Sequence, residues 1–375
     1  MAIMPRLTFL RSNKILAPLN VERWSRGTNK NSRLNSTGSG SKILEHLGNR
    51  SLIRVRGDES SNFLQGLITN DMRHFDDGAA SIYTLFLNTK GRVMYESIIY
   101  KTLEKSIYYI ECDTRVTNNL EKHLKMYKVR RKVDIDSLEN EMKVWSTFDP
   151  LIFTNDETGD LEMSKWQLEG QIFPCGTLSN KSTKLIDDIA IYEDPRIPEL
   201  NLRILSNAQV DEDQIVKHLG FDIQRGKNHS NYREFRYRLG IGEGIDDLPV
   251  GKALPLEVNC DYMHGVSFHK GCYIGQELTA RTHHTGVVRK RLMPLTIENF
   301  EGKNFNYDDN LLDEAGKSVG KFRGNEGRFG LGLVRISEAL AAQTINISGS
   351  RVTVIKPRWW PKESQQDQVS ADTRK

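Results

Sequence analysis

The sequence predicts an α+β protein that ends in a small β-rich domain, and three observations carry this. Between residues 51 and 135, short strand-like runs alternate with amphipathic helical stretches. Two further helical segments, 211–219 and 232–239, follow a strand-rich middle. From Lys290 to about Lys356 the chain is a series of short β-prone pieces broken by Gly302, Gly316, Gly320, Gly324, Gly327 and Gly330. Strands and helices interleaved in this way mark a mixed layer architecture, and a glycine-punctuated run of short strands reads as a barrel. A chain of 375 residues is longer than a single core usually encloses, so more than one part is expected.

Ser51 to Val55 is β-prone and ends at Gly57-Asp58, a turn with a candidate helix cap at Asp58. In the next segment Phe63, Leu64, Leu67 and Ile68 share one helical face, which leaves Thr69, Asn70 and Asp71 at its rim. Ser81–Leu87 and Arg92–Tyr100, rich in Ile, Tyr and Phe and separated by Asn88-Thr89-Lys90-Gly91, form a hairpin pattern. Ile107–Cys112 reads as a third strand, and Val116, Leu120 and Leu124 give the following segment a helical stripe. Val129–Ile135 reads as a strand with one wet face, its Arg130, Arg131 and Lys132 in solvent. Residues 136–180 are acidic and turn-rich, with strands expected at Val144–Phe148 and near Gln171–Phe173. Further strands are expected at Ile186–Tyr192 and Leu202–Leu205, and the helix over 232–239 empties into Gly240, Gly242 and Gly244.

Composition narrows the class. No apolar run approaches the roughly 18 residues of a membrane span, so none is expected. The formal charge of +4 is uneven: residues 1–42 hold eight Lys or Arg and one acid, which leaves 45 basic against 48 acidic residues beyond them. A nucleic-acid footprint therefore does not follow from the overall balance. The first forty residues are Arg-rich and Ser-rich with Ile3, Leu7 and Leu10 at helical spacing, the composition of a mitochondrial transit peptide. Four cysteines, Cys112, Cys175, Cys260 and Cys272, contain no C-x-x-C pair. That argues against a disulfide framework and against a self-contained iron–sulfur ligand set.

Chemistry concentrates between Leu254 and Leu295. Cys260, His264, His269 and Cys272 form a C-x3-H-x4-H-x2-C pattern, a set of ligand types that suits zinc at an uncommon spacing. A second reading is a reactive thiol: Lys270 lies two residues from Cys272, and a helix over Ile274–Arg281 would set its positive end nearby. A third is a small buried apolar cysteine. Glu277 and Arg281, four apart, match a surface ion pair. His283 and His284 are adjacent and point apart, a poor chelate.

The run Lys270, Gly271, Cys272, Tyr273, Ile274, Gly275, Gln276, Glu277, continuing to Arg281, resembles the signature of the folate-binding YgfZ-type proteins, relatives of the glycine-cleavage T-protein. The likeness extends to Leu254-Pro255, Glu257, Asn259 and Gly265–Phe268, to Arg289-Lys290-Arg291, to Phe63–Leu67 with Thr69-Asn70-Asp71, and to Leu87-Asn88-x-Lys90-Gly91-Arg92. It covers roughly residues 50 to 355.

This resemblance implies a T-protein-like ring of three domains, the last a small β-barrel. It divides the chain into a transit peptide (1–40), the first part of a folate-binding-like domain (41–135) and a second α+β domain (136–205). The completion of the first domain with the signature (206–288), the barrel (289–357) and a disordered tail (358–375) follow. With the basic leader it implies the mitochondrial branch: non-enzymatic matrix factors that act with A-type carrier proteins to mature [4Fe–4S] enzymes such as aconitase and lipoate synthase. Cys272 is then the candidate ligand of a transient cluster shared with a carrier, with no metal site of the chain's own. Thr69, Asn70, Asp71, Arg238, Glu257 and Asn259 are the candidate folate cavity, and tetrahydrofolate-dependent aminomethyl transfer is the alternative activity. Two departures weigh against that alternative. Arg238-Leu239 is followed by Gly240 where the T-protein pattern has an acid, and Tyr95-Glu96 stands where it has an Asp pair.

Overall fold

The computed structural model describes residues 42–153, 184–186, 188–219, 223–226, 230–300 and 302–361. The leader, the strand expected near Gln171–Phe173, and residues 362–375 lie outside them. Gly40–Lys375 form one compact unit.

In chain order the first elements are β1 (Lys42–His46), β2 (Arg50–Arg56), α1 (Ser60–Gln65), β3 (Ser81–Leu87), β4 (Val93–Lys101), β5 (Ile107–Asp113), α2 (Thr117–Lys128), β6 (Asp134–Ser137) and β7 (Met142–Phe148). Then come β8 (Lys184–Ile186), β9 (Ile189–Glu193), β10 (Leu202–Asn207), α3 (Glu212–Leu219), β11 (Ile223–Arg225), α4 (Ser230–Leu239), α5 (Gly244–Asp247) and α6 (Gln276–Thr285). The last are β12 (Lys290–Ile297), β13 (Asn310–Asp313), β14 (Ser318–Glu326), β15 (Phe329–Arg335), α7 (Ile336–Ala341), β16 (Ile345–Ile347) and β17 (Ser350–Val354).

They build two sheets and a barrel. The first sheet has the antiparallel order β3-β4-β5-β2-β6. The second has the order β11-β1-β7-β10-β9-β8, with β1 and β11 parallel. The expected barrel is closed, β12-β15-β14-β13-β16-β17. All seven residues of β3 are buried, which explains why its large apolar side chains fall on both faces. One face, with Ile82 and Phe86, packs on Phe63, Leu64, Leu120 and Leu124 of α1 and α2. The other, with Tyr83, Leu85 and Leu87, joins a core shared with Val144 and Leu205 of the second sheet and Leu292 and Phe322 of the barrel.

Strand pairings cross the boundaries of the blocks 41–135 and 136–205. β1 leaves the first block to pair with β7, Ile43 opposite Phe148, and β11 arrives from residues 223–225 to flank it. Local patterns carry no record of such distant pairing. Three smaller expectations change. Val129–Val133 is not strand; β6 starts at Asp134. Asp58 does not cap α1, whose N-cap position is Glu59, with no side-chain bond to the helix's own N–H groups. Within the expected disordered tail, 358–375, Trp359 and Trp360 are buried and Trp359 Nε1 donates to Leu239 O at 2.8 Å.

Candidate functional site

The three stretches that carry the family likeness meet in space. α1 ends at Gln65, and the carbonyls beyond a helix end need donors. Lys270 supplies them: its ammonium donates to Gln65 O at 2.7 Å, to Ile68 O at 2.8 Å and to Asn70 O. Burial pushes Lys270 down to about 7, with the Asp71 carboxylate pulling the other way. Three acceptors on one amine match the three N–H bonds of the charged form. Ile274 N donates to Gly66 O at 3.2 Å and Ser267 N to Thr69 O at 3.0 Å, so the signature is stitched along the whole 65–70 loop.

The hairpin tip forms the third side. Gly275 opens α6 at φ +77°, and a Cβ there would stand 2.3 Å from Asn88 O. Gly91 faces it at φ +75°, where a Cβ would stand 3.0 Å from Gly275 O. Both positions demand positive φ and close backbone approach, the two conditions glycine meets. Gln276 Oε1 accepts from Tyr273 N at 3.1 Å, and the Tyr273 ring lies 5.1 Å from the Lys270 ammonium. Glu277 and Arg281 are exposed on α6, and Gly271 is exposed with open space beside it.

Held on this scaffold, Cys272 is exposed, while Cys112 and Cys260 are buried. Burial pushes the Cys112 thiol up to about 12. Cys175 lies outside the described residues. The buried apolar reading of Cys272 is therefore wrong. The zinc reading fails too: Cys260 is fully buried and His269 and Cys272 are in solvent. Among the described residues no cluster of three or more His, Cys, Asp or Glu is placed to hold a metal ion. His283 does not chelate; it stacks flat on Phe268, ring centres 3.5 Å apart, with His284 edge-on at 5.1 Å.

The six residues expected to form a folate cavity are dispersed over three junctions. Thr69 Oγ1 donates to Gly265 O at 2.6 Å, and Asn70 Nδ2 to Tyr83 O and His264 O at 2.7 and 2.8 Å. Asp71 accepts from Gln65 Nε2 and from the Arg73 backbone and guanidinium. Against the barrel, Asn259 Nδ2 donates to Leu292 O at 2.9 Å and the Glu257 carbonyl accepts from Leu292 N. Burial raises the Glu257 carboxyl, with Lys290 opposing. Arg238 stacks over Phe153 at 3.8 Å and Phe329 at 4.8 Å. Thr69, Asn70, Asp71 and Asn259 thus spend side-chain polar atoms on contacts within the protein.

At the meeting point of the sheets and barrel stands a buried ionic network that sequence reasoning missed. Arg50 binds Glu96 and Glu111, each at 2.6 Å. Glu243 Oε2 accepts from Arg196 at 2.7 Å and from Arg203 at 2.5 Å, and Asp194 joins the same two arginines. Burial works against the Glu243 charge, but Arg203, Arg50, Arg196 and Arg236 hold its carboxyl well below the usual range. Glu96 moves up, through burial and with Arg50 opposing. A signal existed: Glu96 and Glu111 stand within largely apolar strands, and such residues need partners when buried. A cleft of about 230 Å³ adjoins the network, lined by Leu47, Asn49, Asp113, Arg115, Tyr232, Arg233, Arg236, Glu243, Asp246 and Asp247. None of the six folate candidates lines it.

Two sheets and a closed barrel define an aminomethyltransferase-T-like fold. The crystal structure of the glycine cleavage system aminomethyltransferase T from Bartonella henselae superposes with a TM-score of 0.64, covering 86% of this chain and 89% of that one, at 14% identity. Residues 289–362 match the model of the CAF17 C-terminal β-barrel domain. The iron–sulfur cluster assembly factor IBA57, mitochondrial, of Mus musculus is 39% identical over 333 residues, 84% of each chain. Its Homo sapiens counterpart is 36% identical, covering 85% of each. The chain belongs to this IBA57 family of mitochondrial iron–sulfur cluster assembly factors.

Proposed function

We propose that this chain is a non-enzymatic factor of the mitochondrial matrix that works with A-type carrier proteins to mature [4Fe–4S] enzymes of the aconitase and lipoate synthase type. In this reading Cys272 gives one thiolate to a cluster shared with the carrier. The observation that carries it is the exposure of Cys272 on a loop anchored through Lys270, Ile274 and Gly275. Iron–sulfur clusters are held by several thiolates. Among the described residues a single cysteine faces solvent, so the remaining ligands come from a partner. The family's name supports the cluster and the mitochondrion.

The test is anaerobic reconstitution of the chain with its carrier, wild type against Cys272→Ala, followed by cluster absorption and aconitase activation. Loss of the shared cluster at unchanged melting temperature is expected. A Cys272→Ala protein that forms the same cluster and activates aconitase equally well sinks the shared-ligand role. Calorimetry with tetrahydrofolate separates the transferase alternative: tight binding together with aminomethyl turnover would replace the assembly reading.

A further inference from the structure

The end of the first sheet remote from Cys272 carries an unusual surface. β4 runs nine residues from the hairpin tip that rests on Gly275 to the turn before β5, a span of about 25–30 Å. At that far end Lys101 lies opposite Tyr108, and Arg56 lies between Ile107 and Asp134. Two loops meet there at the turn after β2: Gly57 N donates to Ser106 O at 3.1 Å, and Lys132 N to Glu59 Oε2 at 2.6 Å.

These loops and the end of α2 display Leu103, Met126 and Val129, 70%, 65% and 82% exposed, three of the four large apolar side chains more than 60% exposed among the described residues. Val129 stands at φ +48°, a conformation costly for a β-branched side chain, so the fold strains its backbone to hold an apolar tip in water. Residues 122–132 contain six Lys or Arg and no acid. Glu121 is already paired with Lys125, at 2.5 Å.

We propose that this end docks on the surface of an anionic phospholipid bilayer. Apolar tips set among cations are what such a surface recognises: the cations meet the headgroups and the tips enter the boundary with the acyl chains. An acidic protein partner would match the cations but gives no reason to strain Val129 outward. Docked in this way, the chain turns the Cys272 rim toward solution, where a soluble partner reaches it.

The experiment is vesicle co-sedimentation of the full chain, with phosphatidylcholine alone and with added cardiolipin, at low and high salt. Wild type should sediment with the anionic vesicles only, and salt should release it. Charge reversal in Lys128→Glu/Arg130→Glu/Arg131→Glu should cut partitioning at least about tenfold. Met126→Ser/Val129→Ser should cut it several-fold with the salt response kept. Both variants should keep the wild-type melting temperature. Three results overturn the proposal: no anionic binding, equal binding to neutral vesicles, or undiminished binding of the charge-reversed variant, which would move the contact to the basic residues 1–42.

Discussion

The centre of the molecule and the rim around Cys272 are built from opposite uses of polar groups. At the centre, side chain meets side chain: Arg50, Arg196 and Arg203 are fully buried against Glu96, Glu111, Asp194 and Glu243. At the rim, one side chain meets backbone: Lys270 holds three carbonyls and two glycines let the chain close. The centre turns its charges on one another beside a cleft of about 230 Å³, whereas the rim presents a thiol on a fixed platform. Glu96 belongs to the first kind, locked under Arg50.

Breaking the centre should have the largest effect. Glu243→Gln keeps the shape but removes the charge that four arginines surround. Removing one member of a buried pair costs about 3–5 kcal/mol, because its partners stay buried and uncompensated. Urea unfolding should show that loss with Cys272 still exposed. A loss under about 1 kcal/mol would mean that solvent reaches the network, and the contrast between centre and rim would fall.

How much was legible follows from the same contrast. The hairpin, the stripe of Val116, Leu120 and Leu124, and the barrel were readable because their signals lie within a few residues of each other. The signature loop was located through resemblance, and its mechanics only in three dimensions, since Lys270 acts on carbonyls about 200 positions away. Arg203 and Glu243 gave no signal at all: in a sequence a buried guanidinium looks like a solvated one. Thr69, Asn70 and Asp71 were legible as a group at a helix rim, but their partners Gly265, His264 and Arg73 appear only in three dimensions.

A middle-sized effect tests the rim. Lys270→Met preserves the stem and leaves the carbonyls of Gln65, Ile68 and Asn70 without their donor. Unsatisfied carbonyls in a half-buried setting cost about 1–3 kcal/mol. Hydrogen exchange should show protection falling over 66–71 and 270–275 while β2, β4 and β5 keep theirs. Uniform loss across the molecule would make Lys270 a general stabiliser and remove its role as the local clamp.

The smallest effect concerns Asp71, which ties the same loop through the exposed Arg73. Burial opposes its charge, but the bonds from Arg73 and Gln65 win and hold the carboxyl down at about 2, against an ordinary 3.8. The unfolded chain therefore binds more protons between those two values, so Asp71 adds stability as pH rises through that window. Its contribution is complete above about pH 4 and is lost as pH falls toward 2. Asn at this position cannot titrate, so the stability gap between Asp71→Asn and wild type should be open at pH 6 and close on acidification. Because solvent screens Arg73, the gap should be at most about 1 kcal/mol and should shrink in salt. Urea titrations at stepped pH read it directly. A gap that stays constant on acidification would mean that the loop is held by the neutral hydrogen bonds of Gln65 and Asn70 alone, and that charge at the rim serves only to carry Lys270.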